Sequence, residues 1–361
     1  MNTDELYTDA VGLLKELIAT PSFSKEEDRT ADLLEQFFAS KNIQSNRLLN
    51  NVWAVNKYFD ECKPTILLNS HHDTVKPNSQ YTKNPFEAII EDGKLYGLGS
   101  NDAGGCLVSL IAAFIYFYDK KELNYNIVLA ATAEEEISGV NGIENLLSTA
   151  APNSPFRGLG GCAIVGEPTL TNLAIAEKGL LVLDCVSTGK AGHAAREEGE
   201  NAIYKSMQDI NWFQSYQFPK ISETLGPVKM SVTAIATENK AHNMVPAVCS
   251  FVVDIRVTDA YSHEEILATI KQHVAAEIKP RSMRLRSSKI EMDHPLVQAG
   301  IKLGKQTYGS PTTSDAALIP MPVLKCGPGN SARSHSADEF IFLDEIKDGI
   351  NTYIKILEQL V

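Results

Sequence analysis

The sequence is poor in positive charge. Lysine and arginine together number 33 against 45 aspartates and glutamates in 361 residues, a net charge of -12. A field of that sign repels phosphate backbones and anionic lipid surfaces, so neither nucleic acid nor a membrane is an expected partner. Long apolar runs are missing as well: the longest, CLVSLIAAFIYFY at 106–118, is well short of the roughly 20 residues of a membrane span and reads as a buried helix. The opening MNTDELYTDAVGLL is acidic, with neither the basic segment nor the apolar core of a signal peptide. There is no CxxC pair; six cysteines, at 62, 106, 162, 185, 249 and 326, are scattered and sit mostly inside apolar runs. They are expected to be reduced core residues of a cytoplasmic protein. Internal repeats and low-complexity tracts are also absent.

What is present is an ordinary globular composition, 43% hydrophobic and 22% charged, in a chain longer than a single core usually supports, so two domains are expected. Leu6, Val11, Leu14 and Leu17 predict a helix over 4–18, and Ser24 opens a Ser-x-x-Asp/Glu cap for a second helix near 25–40. Short apolar strands follow at 51–56, 65–69, 125–131 and 161–166, with the buried helix near 104–118. Strands alternating with long helices predict an α/β layered domain whose mostly parallel sheet is flanked by helices. After about residue 179 the texture changes: GLLVLDCVSTGKAG and KMSVTAIATENKAHNMVPAVCSFVVDIRV are long alternating strands, and 200–216 and 262–278 look helical. The first texture returns near 290. The expected division is therefore 1–179 with 290–361, interrupted by a smaller inserted α+β domain at 180–289.

In an open α/β sheet, function collects in the loops that leave the carboxyl ends of the strands. The strand TILLNS ends in His71, His72 and Asp73. In extended chain His71 and Asp73 share a side, which pairs an imidazole with a carboxylate as metal ligands and their orienting groups are often paired. His72 faces the other way and reads as structural. DGKLYGLGSNDAGGC leads through Gly97 and Gly99 to Asp102, just before the buried helix. An Asp there could simply cap the helix, but the glycines let the backbone fold closely around whatever the carboxylate holds. The next strand ends in Glu134, Glu135 and Glu136, and the one after in Glu167. LKCGPGNSARSHSADEF puts His335 in a loop ahead of a helix, with Ser336 and Glu339 at capping-box spacing. Each loop has an explanation as a surface turn or cap, yet five in succession presenting His, Asp, Glu, Glu and His do not share one. Two histidines and three carboxylates, one of them bridging, suit two divalent cations such as zinc. The three adjacent glutamates then divide into a metal ligand, a proton carrier for water and a neighbour facing elsewhere, their repulsion relieved by the cations.

PSFSKEE, SHHDTV, DGKLYGLGSND, TAEEE, GEPT, GKAGH, GENAI, HNMVPAV, DIR, TTSDA and GPG with SHSADE follow in this order over nearly the whole chain. In that set and order the sequence resembles the acetylornithine deacetylase and succinyl-diaminopimelate desuccinylase family of two-metal hydrolases, which also contains aminoacylases and related carboxypeptidases. The acetylornithine deacetylase branch is the most similar. The resemblance implies that His71, Asp102 and Glu167 hold one metal and Asp102, Glu136 and His335 the other. It makes Glu135 the general base and Asp73 the partner that orients His71. It implies zinc, with cobalt or manganese as alternatives. It also implies that the inserted domain is a lid that mediates a homodimer, with His193 reaching the partner subunit's site and Asn243 and Arg256 binding substrate. The chain departs from the family in three places. Ala103-Gly104-Gly105 follows the bridging Asp where Met-Lys-Gly or similar is usual, Glu134 stands where Asp is commoner, and Asp338 where Asn is commoner.

The expected reaction is hydrolysis of an N-acyl amino acid, first N-acetylornithine to ornithine and acetate in arginine biosynthesis. Succinyl-diaminopimelate, other N-succinyl or N-acetyl derivatives of ornithine or citrulline, and a dipeptide are the alternatives. A non-catalytic binding protein on the same scaffold would be expected to have lost Glu135 or a ligand, and none is lost. A serine hydrolase would need a GxSxG elbow, which is absent.

Overall fold

A computed structural model describes residues 2–148, 155–156, 160–196 and 198–361. They form two compact units, one of Met1–Ile175, Lys289–Tyr308 and Ser314–Val361, the other of Ala176–Ser288 and Gly309–Thr313. The change of texture suggested breaks at 179/180 and 289/290; it gave no sign of Gly309–Thr313, a short excursion within the returning chain.

The first unit is built on a mixed sheet. Its strands run, side by side, Ser45–Leu48, Asn51–Val55, Asn126–Thr132, Thr65–His71, Gly161–Val165, Val323–Lys325 and Leu173–Glu177. The inner pairs are parallel: Thr65–His71 with both Asn126–Thr132 and Gly161–Val165, and the last of these with Val323–Lys325. Every residue of Thr65–His71 and Asn126–Thr132 is buried, as expected of parallel strands covered on both faces. One cover is the helix Gly105–Phe117, whose sequence GCLVSLIAAFIYF is apolar all round because Thr3–Ala19 and Leu343–Leu357 pack against it. The stretch Ser100–Phe117 is long and apolar enough to cross a bilayer, and 83% of it is buried inside this unit.

Register is what assembles a site. His71 lies opposite Thr132, and Asn69 opposite Val165, so three parallel strands end side by side. The chain leaving them carries His71 to Asp73, Glu134 to Glu136, and Glu167.

Two local expectations fail for the same reason, a capping pattern that is used otherwise. The second helix begins at Asp28 without a side-chain cap, and the Ser24 hydroxyl donates to Asp73 instead. After His335 the chain first forms the strand Phe340–Phe342, paired with Lys94–Tyr96, so the helix starts only at Leu343 and Ser336 caps nothing.

The second unit is an antiparallel sheet in the order Lys229–Ala236, Val248–Val257, Gly179–Thr188, Glu277–Pro280. Strand Gly179–Thr188 alternates between buried and half-buried residues up to an exposed Thr188 at its end, the signature of a sheet with one covered face. Leu181, Leu183, Cys185, Phe251, Val253 and Ile255 from that face pack with Phe213, Ile266 and Ile270 of the helices Ala202–Ser215 and His263–His273. The last helix is shorter than its sequence pattern suggested, because Glu277–Pro280 joins the sheet as an edge strand.

Candidate metal centre

His71 is 1% exposed, at the end of its strand. Its Nδ1 is 2.9 Å from the carbonyl of Asp73 and 3.4 Å from the Asp73 carboxylate, so Nδ1 carries the proton and donates it. Nε2 is then a lone pair. It is buried with no hydrogen-bond partner, and it faces Asp102 Oδ1 at 3.4 Å, Glu167 Oε1 at 3.8 Å and Glu135 Oε2 at 3.9 Å. A lone pair aimed at three carboxylates is a place for positive charge. Burial would lower the pKa of this imidazole, but Glu135, Asp102 and Asp73 outweigh it and hold the histidine well above its usual range, so without a cation a proton takes the place on Nε2 that a bound cation would take.

Asp102 lies at the centre. One oxygen faces His71, and Oδ2 is 3.6 Å from Nε2 of His335. Burial opposes its charge, but His71, Ser334 and His335 outweigh the burial and keep its pKa below the usual range. His335 has a left-handed backbone, φ 58°, which turns the ring toward Glu136, with Nε2 at 2.9 Å from Oε2. That pair is the main cause of a histidine pKa raised to about 9. Ligand atoms of His71, Asp102 and Glu136 lie within 4.8 Å of one another. The donor set of two imidazoles and several carboxylates, with an orphaned Nε2 among them, fits divalent cations.

The Glu134 to Glu136 turn separates the three carboxylates. Glu134 is left-handed, φ 57°, and its carboxylate accepts from the side chain and backbone of Asn141, away from the histidines. Glu135 faces His71. Burial raises its carboxyl well above the usual range; His71 pulls it back, while Glu167, Asp315 and Glu136 push it further. Glu136 takes His335. Asp73 fixes the turn, because its two oxygens accept from the backbone N–H groups of Glu135 at 3.1 Å and Glu136 at 3.2 Å. Glu134→Ala should therefore be a stability variant: losing the Asn141 bonds costs about 1–3 kcal/mol. A lowered unfolding midpoint with unchanged metal content and turnover within about threefold of wild type is the expected result.

His72 is spent on structure, with Nδ1 at 2.9 Å from the Thr30 hydroxyl and Nε2 at 2.9 Å from the Asn50 carbonyl. Burial lowers its pKa to about 4, so it is neutral.

Sequence reasoning missed what some buried carboxylates do. Glu339, read as a possible helix cap, instead accepts from the backbone N–H groups of Gly99, Asn101 and Asp102 and so holds the loop that presents Asp102. Asp315, inside TTSDA, accepts from the Thr132 hydroxyl at 2.7 Å beneath the same strand ends. Its motif marked the place without saying what the carboxylate touches. The Ala-Gly-Gly departure has a steric reason: a Cβ on Gly104 would stand 2.5 Å from the Gly99 carbonyl, so a residue with a side chain cannot follow this loop path unchanged. Asp338 accepts from the backbone N–H groups of Thr82 and Lys83, a fixing role its carboxylate performs at the surface.

His193, Asn243 and Arg256 belong to the second unit. His193 lies on the short strand Gly192–His193, paired with Met244–Val245, and the Asn243 carbonyl accepts from the N–H of Ala194. The Arg256 guanidinium makes a bidentate pair with Asp254, at 2.8 and 3.0 Å.

Residues 67–359 match the family described as Peptidase family M20/M25/M40. The chain is 30% identical over 362 residues to a [LysW]-lysine/[LysW]-ornithine hydrolase of Sulfurisphaera tokodaii, covering 96% of this chain and 94% of the relative. It is 25% identical over 379 residues to a succinyl-diaminopimelate desuccinylase of Cereibacter sphaeroides, covering 97% and 98%. Among solved structures, the aminopeptidase PepT of Bacillus cereus has the same fold, with a TM-score of 0.77 at 19% identity over 100% of this chain and 99% of that one.

Proposed function

The chain belongs to peptidase family M20/M25/M40 and is a hydrolase acting on amides; from that premise we propose that it releases an amino acid from its N-acyl derivative, with N-acetylornithine as the first substrate to test. The observation that carries the reading is the buried, unpartnered Nε2 of His71 facing Asp102, Glu135 and Glu167. His71, Asp102 and Glu167 would hold one cation, and Asp102, Glu136 and His335 the other. Bound there, two divalent ions, zinc first, supply Lewis acidity toward water and toward the amide carbonyl.

The protein's own groups do the rest. Asp73 fixes the tautomer and aim of His71 and, through the Glu135 and Glu136 amides, the turn that bears the base. Glu135 takes the proton of the attacking water and returns it to the leaving amine. In the metal-free site burial and the neighbouring carboxylates raise this carboxyl, the direction that favours taking up a proton. Arg256 would offer its planar fork to the amino acid's α-carboxylate, exchanging Asp254 for the substrate, with Asn243 beside His193 as a further polar contact.

The same proposal includes a homodimer through the second unit. Lys229–Ala236 is an edge strand whose outer residues include exposed Ile235, and the helix Ala202–Ser215 exposes Tyr204 and Met207. A second copy would cover these apolar groups.

Deacylation of a succinylated substrate is the second reading, favoured by the similarity to succinyl-diaminopimelate desuccinylases. A panel of N-acetylornithine, N-acetylcitrulline, N-succinyl-diaminopimelate and a dipeptide, assayed for free amine with zinc, cobalt and manganese, decides between them. Chelation should abolish turnover and added zinc or cobalt should restore it. Full turnover in thoroughly metal-free protein would sink the two-metal reading.

A further inference from the structure

Glu27 is a carboxylate with 0% exposure, 46 residues before Asp73 and outside every strand-end loop. A buried carboxylate is costly unless its lone pairs are filled. Oε1 accepts from the backbone N–H of Lys25 at 2.7 Å and of Glu134 at 3.1 Å; Oε2 accepts from the Asn50 side chain at 2.9 Å. The bond to Glu134 is the informative one. Three consecutive amides of the turn, those of Glu134, Glu135 and Glu136, are all received by carboxylates that come from other segments, Glu27 for the first and Asp73 for the other two. Ser24 ties the two clamps together by donating to Asp73.

The clamp acts where the chain needs it. Glu134 holds a left-handed conformation, φ 57° and ψ 18°, that an L residue with a side chain adopts at a cost. That kink sends the Glu135 carboxylate toward His71 and the Glu136 carboxylate toward His335. Asp73 holds the backbone amides of both residues, and the Glu136 side chain is fixed further by His335. Among the described residues the Glu135 carboxylate makes no hydrogen bond of its own, so its aim rests on the backbone of the turn, which Glu27 and Asp73 hold together.

We propose that Glu27 is a positioning residue for the hydrolysis, setting through the Glu134 amide the direction of the Glu135 carboxylate. The inference rests on Glu135 as the proton carrier, and its test contains one readout that does not.

In Glu27→Ala the Glu134 amide loses its acceptor, and a misplacement of about 1 Å at a proton carrier lowers kcat by about 100-fold. KM should change less than about threefold and bound metal per subunit should stay at the wild-type value, because no ligand is removed. Glu27→Gln keeps one oxygen for the Glu134 amide but turns an NH2 toward the Asn50 amide; kcat should fall less, by about fivefold. The independent readout is hydrogen exchange of the amides of 134–137 in metal-free protein, which should quicken in both variants. Leu34→Val, a core change in the neighbouring helix, serves as the control: it lowers the unfolding midpoint and should leave both kcat and exchange at 134–137 unchanged. Wild-type kcat and wild-type exchange in folded Glu27→Ala overturn the proposal, as does a loss of kcat that only follows loss of metal. If the alanine variant does not fold, Glu27→Gln decides, and wild-type values for both readouts sink the idea. Quickened exchange with unchanged kcat would keep the clamp but overturn Glu27 as a positioning residue for the hydrolysis, whereas a metal-replete, fully active Glu135→Ala protein would refute Glu135 as the carrier.

Discussion

Glu135→Ala should retain a full complement of metal and lose about two to four orders of magnitude in kcat, while its neighbour Glu136→Ala should lose metal. The two side chains are adjacent in sequence and differ in what they face. Glu135 Oε2 lies 3.9 Å from His71 Nε2, and the side chain is buried near Glu167, Asp315 and Glu136, whose charges raise it. Removing it deletes no group that pairs with a histidine at bonding distance. Glu136, by contrast, holds His335 at 2.9 Å and contributes to the close cluster with His71 and Asp102. Without it, Asp102 and His335 alone face that side, and a cation held there becomes labile. Elemental analysis beside steady-state turnover separates the two, and partial recovery of Glu136→Ala in excess metal is expected where none is expected for Glu135→Ala. A metal-replete, fully active Glu135→Ala protein overturns the assignment of the base.

How much of this could be read in advance follows from the range over which each interaction acts. Strand ends are local: the apolar runs at 65–71, 126–132 and 161–165 end where their side chains turn polar, and parallel register then brings those ends together. His71, Asp73, Asp102, the three glutamates, Glu167 and His335 were therefore visible as candidates from pattern alone. Ser24 and Glu339 were not, because Ser-x-x-Glu looks the same whether it caps a helix or reaches across the fold. Ser24 bonds Asp73 and Glu339 bonds a loop more than two hundred residues away. Glu27 and Asp315 fill lone pairs from backbone and hydroxyl donors of distant segments, and no periodicity records such a bond. The excursion Gly309–Thr313 escaped for a similar reason: Lys178 donates its N–H to the Ser310 carbonyl, a tie that five residues of ordinary loop composition do not announce.

Mixing inactive His193→Ala protein with inactive Glu135→Ala protein should restore activity once subunits exchange. His193 is exposed, and its Nδ1 accepts a hydrogen bond from the N–H of Ala195 at 3.1 Å. The neutral ring therefore carries its proton on Nε2, which leaves one donor directed away from its own backbone and available to an oxyanion. In the proposed dimer that donor serves the partner's metal centre, so His193→Ala should lower kcat strongly with metal content intact. A mixed dimer then has one site carrying both defects and one carrying neither, and its activity should approach about half that of wild type. Recovery should require exchange and vanish when the parent proteins are cross-linked before mixing. Mixed dimers that form and stay inactive would mean that His193 serves its own chain or no site at all, and would remove the partner subunit from the mechanism.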